Sequence, residues 1–172
     1  AQYIAVKKAQ AYRPLLDSAI SHQESSINHQ QPSDGNPELL ILTADTVVIA
    51  PSSEEQNDQE GKGIILGKPK DAADASRMLE MLSGKTHHVV TGVCITSLEK
   101  QRQFSVVTEV TFKKLSKEEI DYYVGHYKPF DKAGAYGIQE WIGYIGCTSL
   151  KGSYFNVMGL PVQRIYEELK KF

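Results

Sequence analysis

An aspartate set inside an apolar run is the residue of this sequence best placed to do chemistry. Asp45 lies in Leu39–Ala50, LLILTADTVVIA, a stretch apolar on both faces and rich in branched side chains. That pattern predicts a central buried strand. An unpaired carboxylate there costs several kcal/mol or raises its own pKa. Asp45 must therefore face a cation or stand where the strand opens into a cleft. The functional reading is a general base or metal ligand; the structural one is a carboxylate that caps a loop or meets a lysine. The pattern leaves both open. Thr46 points to the opposite face of a regular strand and reads, from pattern alone, as packing.

Three further groups carry charge in suggestive settings. Lys68 sits between Gly67 and Pro69, a rigid turn that can hold an ammonium at a strand end to meet a phosphate; the pattern by itself favours a solvated loop lysine. Asp131-Lys132-Ala133-Gly134-Ala135-Tyr136-Gly137-Ile138-Gln139 combines two charges, two glycines and an amide. Its glycines let backbone N–H groups approach an anion, and the Gln139 amide can both donate and accept toward a base edge. The segment matches neither a Walker loop nor a dinucleotide fingerprint, and a turn closed by a local Asp–Lys pair is the plainer reading. Lys8, beside Lys7, reads by default as a solvated helix face. His87-His88, Cys94 and Cys147 match no metal or redox spacing; the cysteines read as reduced core thiols of a cytosolic protein. Tyr122, Tyr123, Tyr127, Trp141 and Tyr144 read as core and interface aromatics.

These residues need a scaffold. Ala5, Ala9, Tyr12 and Leu16 recur at helical spacing, predicting a helix over 2–16 that Pro14 ends early. Residues 17–37, rich in Ser, Gln, Asn and His, predict a long surface loop, and 52–63 a hairpin tip before a short strand, Ile64–Leu66. Asp71 caps a helix that buries Ala75, Met78, Leu79 and Leu82 and stops at Gly84. Val89–Leu98 and Gln103–Phe112 predict a hairpin. Ser116-Lys117-Glu118-Glu119 forms a capping box between Leu115 and Ile120. Pro161 opens a last helix expected to bury Val162, Ile165, Tyr166 and Leu169. Interspersed strands and helices predict an α/β domain with a mixed sheet.

At 172 residues, the chain suits one domain of roughly 150 residues or two small lobes sharing a core. The 19 Lys and Arg against 21 Asp and Glu give a net charge of −2 with no basic run, which argues against a surface built on nucleic-acid phosphates. No apolar stretch approaches the roughly 18 residues of a membrane span, and no signal peptide is visible.

Taken together, several segments resemble the Maf family of nucleoside triphosphate pyrophosphatases. They are Lys8-Ala9, Thr43-Ala44-Asp45-Thr46-Val47-Val48, Leu66-Gly67-Lys68-Pro69, Met81-Leu82-Ser83-Gly84, Thr91-Gly92-Val93, Asp131–Gln139 and Gly152–Pro161. They follow the family's order and cover most of the chain outside the two polar insertions. The resemblance implies a single Maf-like domain over 1–172 of the Maf/ITPase-like kind, an elongated mixed β-sheet with flanking helices and two lobes around a central cleft. It implies hydrolysis of a nucleoside triphosphate between the α and β phosphates, assisted by Mg²⁺ or Mn²⁺, in a cytoplasmic homodimer with no nucleic-acid or membrane partner. Asp45 matches the proton acceptor and a metal ligand. Lys8, Lys68 and Lys132 match phosphate-binding positions, Asp131 belongs to the same motif, and Thr46 and Gln139 match positions tied to substrate choice. The 131–136 sequence is similar to the branch acting on dTTP and UTP. A 7-methyl-GTP pyrophosphatase and a non-catalytic nucleotide-binding regulator of septum formation are the alternatives. Two departures stand out. The Ser-x-Ser-Pro-Arg-Arg loop typical of the family, and the glutamate that follows it, are expected in a segment before Ala1. Glu140-Trp141 follows Gln139 where glycine is usual, and His126–Pro129 stands where Gly-Glu is frequent.

Overall fold

The computed structural model describes residues 1–24, 39–52 and 63–172. Five strands form one sheet in the order β2-β1-β3-β4-β5: β1 (Ile41–Ala50), β2 (Ile64–Leu66), β3 (Thr86–Thr96), β4 (Gln101–Phe112) and β5 (Cys147–Lys151). The helices are α1 (Gln2–Glu24), α2 (Ala72–Leu82), α3 (Lys117–Tyr127), α4 (Trp141–Gly146), α5 (Tyr154–Val157) and α6 (Val162–Leu169), with a 3₁₀ turn at Ala133–Ala135. The α/β architecture is the expected one. Its sheet, expected to be mixed, is antiparallel at every described pairing. A short hairpin turn joins β3 to β4, and such a tight connection demands antiparallel neighbours.

The strand carrying Asp45 is not the middle of the sheet; β3 is. β1 pairs with β3 from Ile41 to Ile49, but β2 covers only Val48–Ala50 on its other side. Among the described residues, the outer edge of β1 from Ile41 to Val47 therefore has no strand neighbour, and most of its residues are half-buried. An edge of that kind presents backbone groups and side chains to whatever lies beside it.

The apolar side chains divide into lobes. The main cluster joins Val48, Leu66, Leu79, Leu82, Phe112, Ile120, Tyr123 and Ile142. It binds α2, α3 and α4 to the β2 end of the sheet; a fully buried leucine there stabilises the fold by roughly 1.5–3 kcal/mol. At the other end, Ala5, Ala9 and Cys94 join α1 to one face, and Ile165 packs with Val93 and Ile95 on the opposite one. The Asp71 cap, the Ser116–Glu119 capping box and the predicted β3–β4 hairpin are all present.

Three local expectations are corrected. α1 runs through Pro14 to Glu24, so 17–24, expected as loop, are helical; the remainder of 17–37, and 53–62, lie outside the described residues. A proline removes one helical bond, but an exposed turn can absorb that loss, and a lack of apolar periodicity means only that no face is buried. Tyr12 is exposed. α6 buries Ile165 and Glu168, while Val162, Tyr166 and Leu169 are exposed. Arg102 and Arg164 both pair with the Glu168 carboxylate, which lets a charge take the inward position. Cys94 is buried and Cys147 half-buried, and both are free thiols. Among the described residues, no helix is long and apolar enough to cross a membrane.

Candidate active site

A cleft of about 670 Å³ opens where β2 stops short along β1. All seven residues singled out from the sequence line it: Lys8, Asp45, Thr46, Lys68, Asp131, Lys132 and Gln139. They come from four separate segments, and each is placed by a local packing feature.

Helix α1 delivers Lys8. Its first residues rest on Gly92 of β3, where a Cβ would lie 2.2 Å from the Gln2 nitrogen; only glycine lets helix and sheet come this close. Thr43 Oγ1 donates to the Ala5 carbonyl oxygen at 2.7 Å and fixes the crossing. One turn along, the Lys8 ammonium stands 2.8 Å from Asp45 Oδ1 and 3.2 Å from the Ala44 oxygen. The Asp45 side chain is 22% exposed, so the carboxylate faces both a cation and open space.

The adjacent Thr46 faces the other side of the sheet. Its Oγ1 lies 2.8 Å from Thr91 Oγ1 on β3, and Thr91 donates to the Asn156 carbonyl oxygen at 3.1 Å. A carbonyl oxygen only accepts, so the Thr91 proton is committed and Thr46 must be the donor in the pair. The buried Asn156 amide in turn donates to the Val89 oxygen and to Thr108 Oγ1. Thr91 and Asn156 lie in segments that carry the family resemblance, but the sequence assigns them no role, because the contact that joins them appears only in three dimensions.

Residues 131–139 are clipped to the sheet at Gly134. Its N–H donates to the Gly67 oxygen at 3.0 Å. Its φ is +69°, and an added Cβ would sit 2.8 Å from a Val48 methyl. That left-handed, close-packed position suits glycine alone. The clip places Lys132 and Gln139 on the wall of the cleft that Asp45 also lines, with Lys68 near enough to Asp131 to help lower its pKa. Lys68 is exposed and forms no ion pair among the described residues. Gln139 is exposed, with its backbone oxygen held by the Tyr144 hydroxyl at 2.7 Å.

The plainer reading of this segment is also realised, because Lys132 Nζ lies 2.9 Å from Asp131 Oδ1. It lies 3.1 Å from Glu140 Oε1 as well. Burial alone would lower the Lys132 pKa, but hydrogen bonds to Asp131 and Glu140 outweigh it and hold the ammonium above its ordinary value. The same bond holds the Asp131 carboxyl low. Glu140 was visible in the sequence only as a departure from glycine, and its pairing with Lys132 was not foreseen. Behind the cleft wall, the hydroxyl of buried Tyr136 lies 2.8 Å from His87 Nε2. His87 is fully buried, and burial, with the neighbouring His88, lowers its pKa to about 4. It is a structural histidine, as its spacing suggests.

The donor set bears on a divalent cation. Three carboxylates, Asp45, Asp131 and Glu140, lie at or beside the cleft, each bonded to an ammonium. Among the described residues, no group of three or more His, Cys, Asp or Glu side chains is arranged to hold a metal alone. A hard cation carried by one carboxylate plus substrate oxygens fits this set; an all-protein cage does not.

Comparison with known proteins places the chain in a family. The family model described as Maf-like protein matches residues 1–172. A protein of Phocaeicola vulgatus named dTTP/UTP pyrophosphatase is 53% identical over 169 residues, covering 98% of this chain and 72% of the relative. Proteins of the same name from Porphyromonas gingivalis and Bacteroides fragilis are 50% and 47% identical, covering 99% and 98% of this chain and 71% and 72% of theirs.

Proposed function

The chain belongs to the Maf-like protein family, and from that premise we propose that it hydrolyses dTTP and UTP to the monophosphate and pyrophosphate. The supporting observation is the convergence of Asp45, three lysines and Gln139 on one cleft. A triphosphate carries about four negative charges, and a site that accepts it must offset them with cations. Lys8, Lys68 and Lys132 supply three from separate elements, so they can grip successive phosphates rather than one.

Asp45 then takes the proton of the attacking water. The water oxygen forms a bond to the α phosphorus, and the bridging oxygen to the β phosphorus leaves with pyrophosphate. The ammonium groups stabilise the charge that builds on the leaving oxygens, so catalysis is chiefly positioning and electrostatics. Gln139 contacts the base with its free amide. A Mg²⁺ or Mn²⁺ ion, held by Asp45 together with phosphate oxygens, would add charge neutralisation at the same place.

The test is a pyrophosphate-release screen over the common and several modified nucleoside triphosphates, with Mg²⁺, with Mn²⁺ and with neither. Release is expected from dTTP and UTP. Binding of nucleotide without turnover would return the chain to the non-catalytic regulator, and a preference for 7-methyl-GTP would move it to the purine branch.

A further inference from the structure

Beside Lys132 stand two groups, Glu140 and Tyr123, that have no part in the chemistry described above. The Glu140 carboxylate lies between the Lys132 ammonium, 3.1 Å from Oε1, and the hydroxyl of Tyr123, which donates to Oε2. The Tyr123 oxygen itself accepts from the Gly137 N–H at 3.0 Å. Tyr123 is fully buried in the main core, on α3, whereas Lys132 reaches the cleft from the opposite side of this cluster. The chain of contacts thus runs from a rigid helix through a carboxylate to a substrate-facing cation.

We propose that Glu140 is a positioning residue for Lys132, fixed in turn by Tyr123, and that it aims the ammonium at the triphosphate. This rests on the reading of the cleft as a nucleoside triphosphate site. A lysine side chain has four rotatable bonds and loses much entropy when ordered. Asp131 cannot supply the order by itself, since it is 74% exposed and hangs from the same turn. Glu140 is 22% exposed and anchored to the core. With two of the three ammonium hydrogens committed to Asp131 and Glu140, the third is the one left for a phosphate oxygen.

The variant Glu140→Gln keeps the shape and can still accept from Tyr123, but it removes the charge beside Lys132. Two readouts follow. The ¹³Cε signal of Lys132, titrated in the intact protein, should shift its midpoint to lower pH. KM for dTTP should rise about tenfold, the scale of one charge-assisted hydrogen bond, with a smaller fall in kcat and a melting temperature near that of the wild type. Tyr123→Phe, which frees the carboxylate without removing it, should raise KM in the same direction by a smaller factor. A Lys132 midpoint unmoved in Glu140→Gln, or an unmoved KM, overturns the proposal. Wild-type protein inert toward every triphosphate would overturn the reading of the cleft instead, and the Lys132 titration alone would then decide whether Glu140 governs the ammonium.

Discussion

The Lys8 ammonium stands 2.8 Å from Asp45 Oδ1, so the proposed base and one of the proposed phosphate ligands are each other's partners when the cleft holds no substrate. A carboxylate committed to an ammonium is a poor acceptor for a water proton. On the proposed function, phosphate oxygens arriving at Lys8 would compete for its hydrogens and release the carboxylate, coupling binding and activation through one ion pair.

Replacing Asp45 with Asn keeps the shape and removes the base. Turnover of dTTP should fall at least about a hundredfold, the usual worth of a positioned base. Nucleotide affinity, read by calorimetry, should hold or rise, since Lys8 is freed for phosphate. A variant with wild-type turnover would remove Asp45 from the mechanism.

Among the described residues Lys68, unlike Lys8 and Lys132, forms no close ion pair, although its charge helps to hold the Asp131 carboxyl low. It stands at an exposed position where salt screens its charge. Lys68→Ala should therefore raise KM more than it lowers kcat, and the KM of the wild type should climb more steeply with added salt than that of the variant. Parallel salt curves for the two proteins would show that Lys68 meets no phosphate.

The Gln139 amide makes no hydrogen bond among the described residues, although its backbone is pinned by Tyr144. A fixed backbone with an unengaged amide suits recognition of a base edge. Gln139→Ala should alter the ratio of kcat/KM for dTTP over CTP by roughly tenfold, the range of one hydrogen bond to an uncharged partner. An unchanged ratio would leave the side chain without a recognition role.

His87 makes folding sensitive to acid. Its pKa is about 4 in the folded protein and 6.5 ordinarily. Between those values the unfolded chain takes up a proton that the folded one refuses. Stability from this residue is complete above pH 6.5 and is lost as pH falls toward 4, by up to about 3 kcal/mol. The urea midpoint should drop across that window, and by less in His87→Asn, which no longer titrates. Equal drops in both proteins would assign the acid sensitivity elsewhere.

Much of this site was legible because its residues break local rules. Asp45 violates an apolar strand, and the violation is explained by Lys8 and an uncovered edge. The caps at Asp71 and Ser116 are short-range devices that need no tertiary context, and they form as read. What escaped the sequence depends on partners distant in the chain. Glu168 takes an inward place on α6 because Arg102, 66 residues away, meets it there. Glu140 joins the site because Tyr123 and Lys132 flank it in space. Pro14 misleads for a different reason: a helix with a solvent face can lose one bond and continue. Of the four α1 residues at helical spacing, Ala5, Ala9 and Leu16 are buried and Tyr12 is not.

Asp45 and Thr46 are neighbours in sequence yet look out on opposite sides of the sheet, one toward α1 and the other toward Asn156. A slip of β1 by a single residue along β3 would exchange acid for alcohol. The β1–β3 ladder from Ile41 to Ile49 that holds this alignment therefore also decides which chemistry greets each end of a bound molecule. Damage to activity from a distant core substitution would then report a misaligned ladder and not a lost contact.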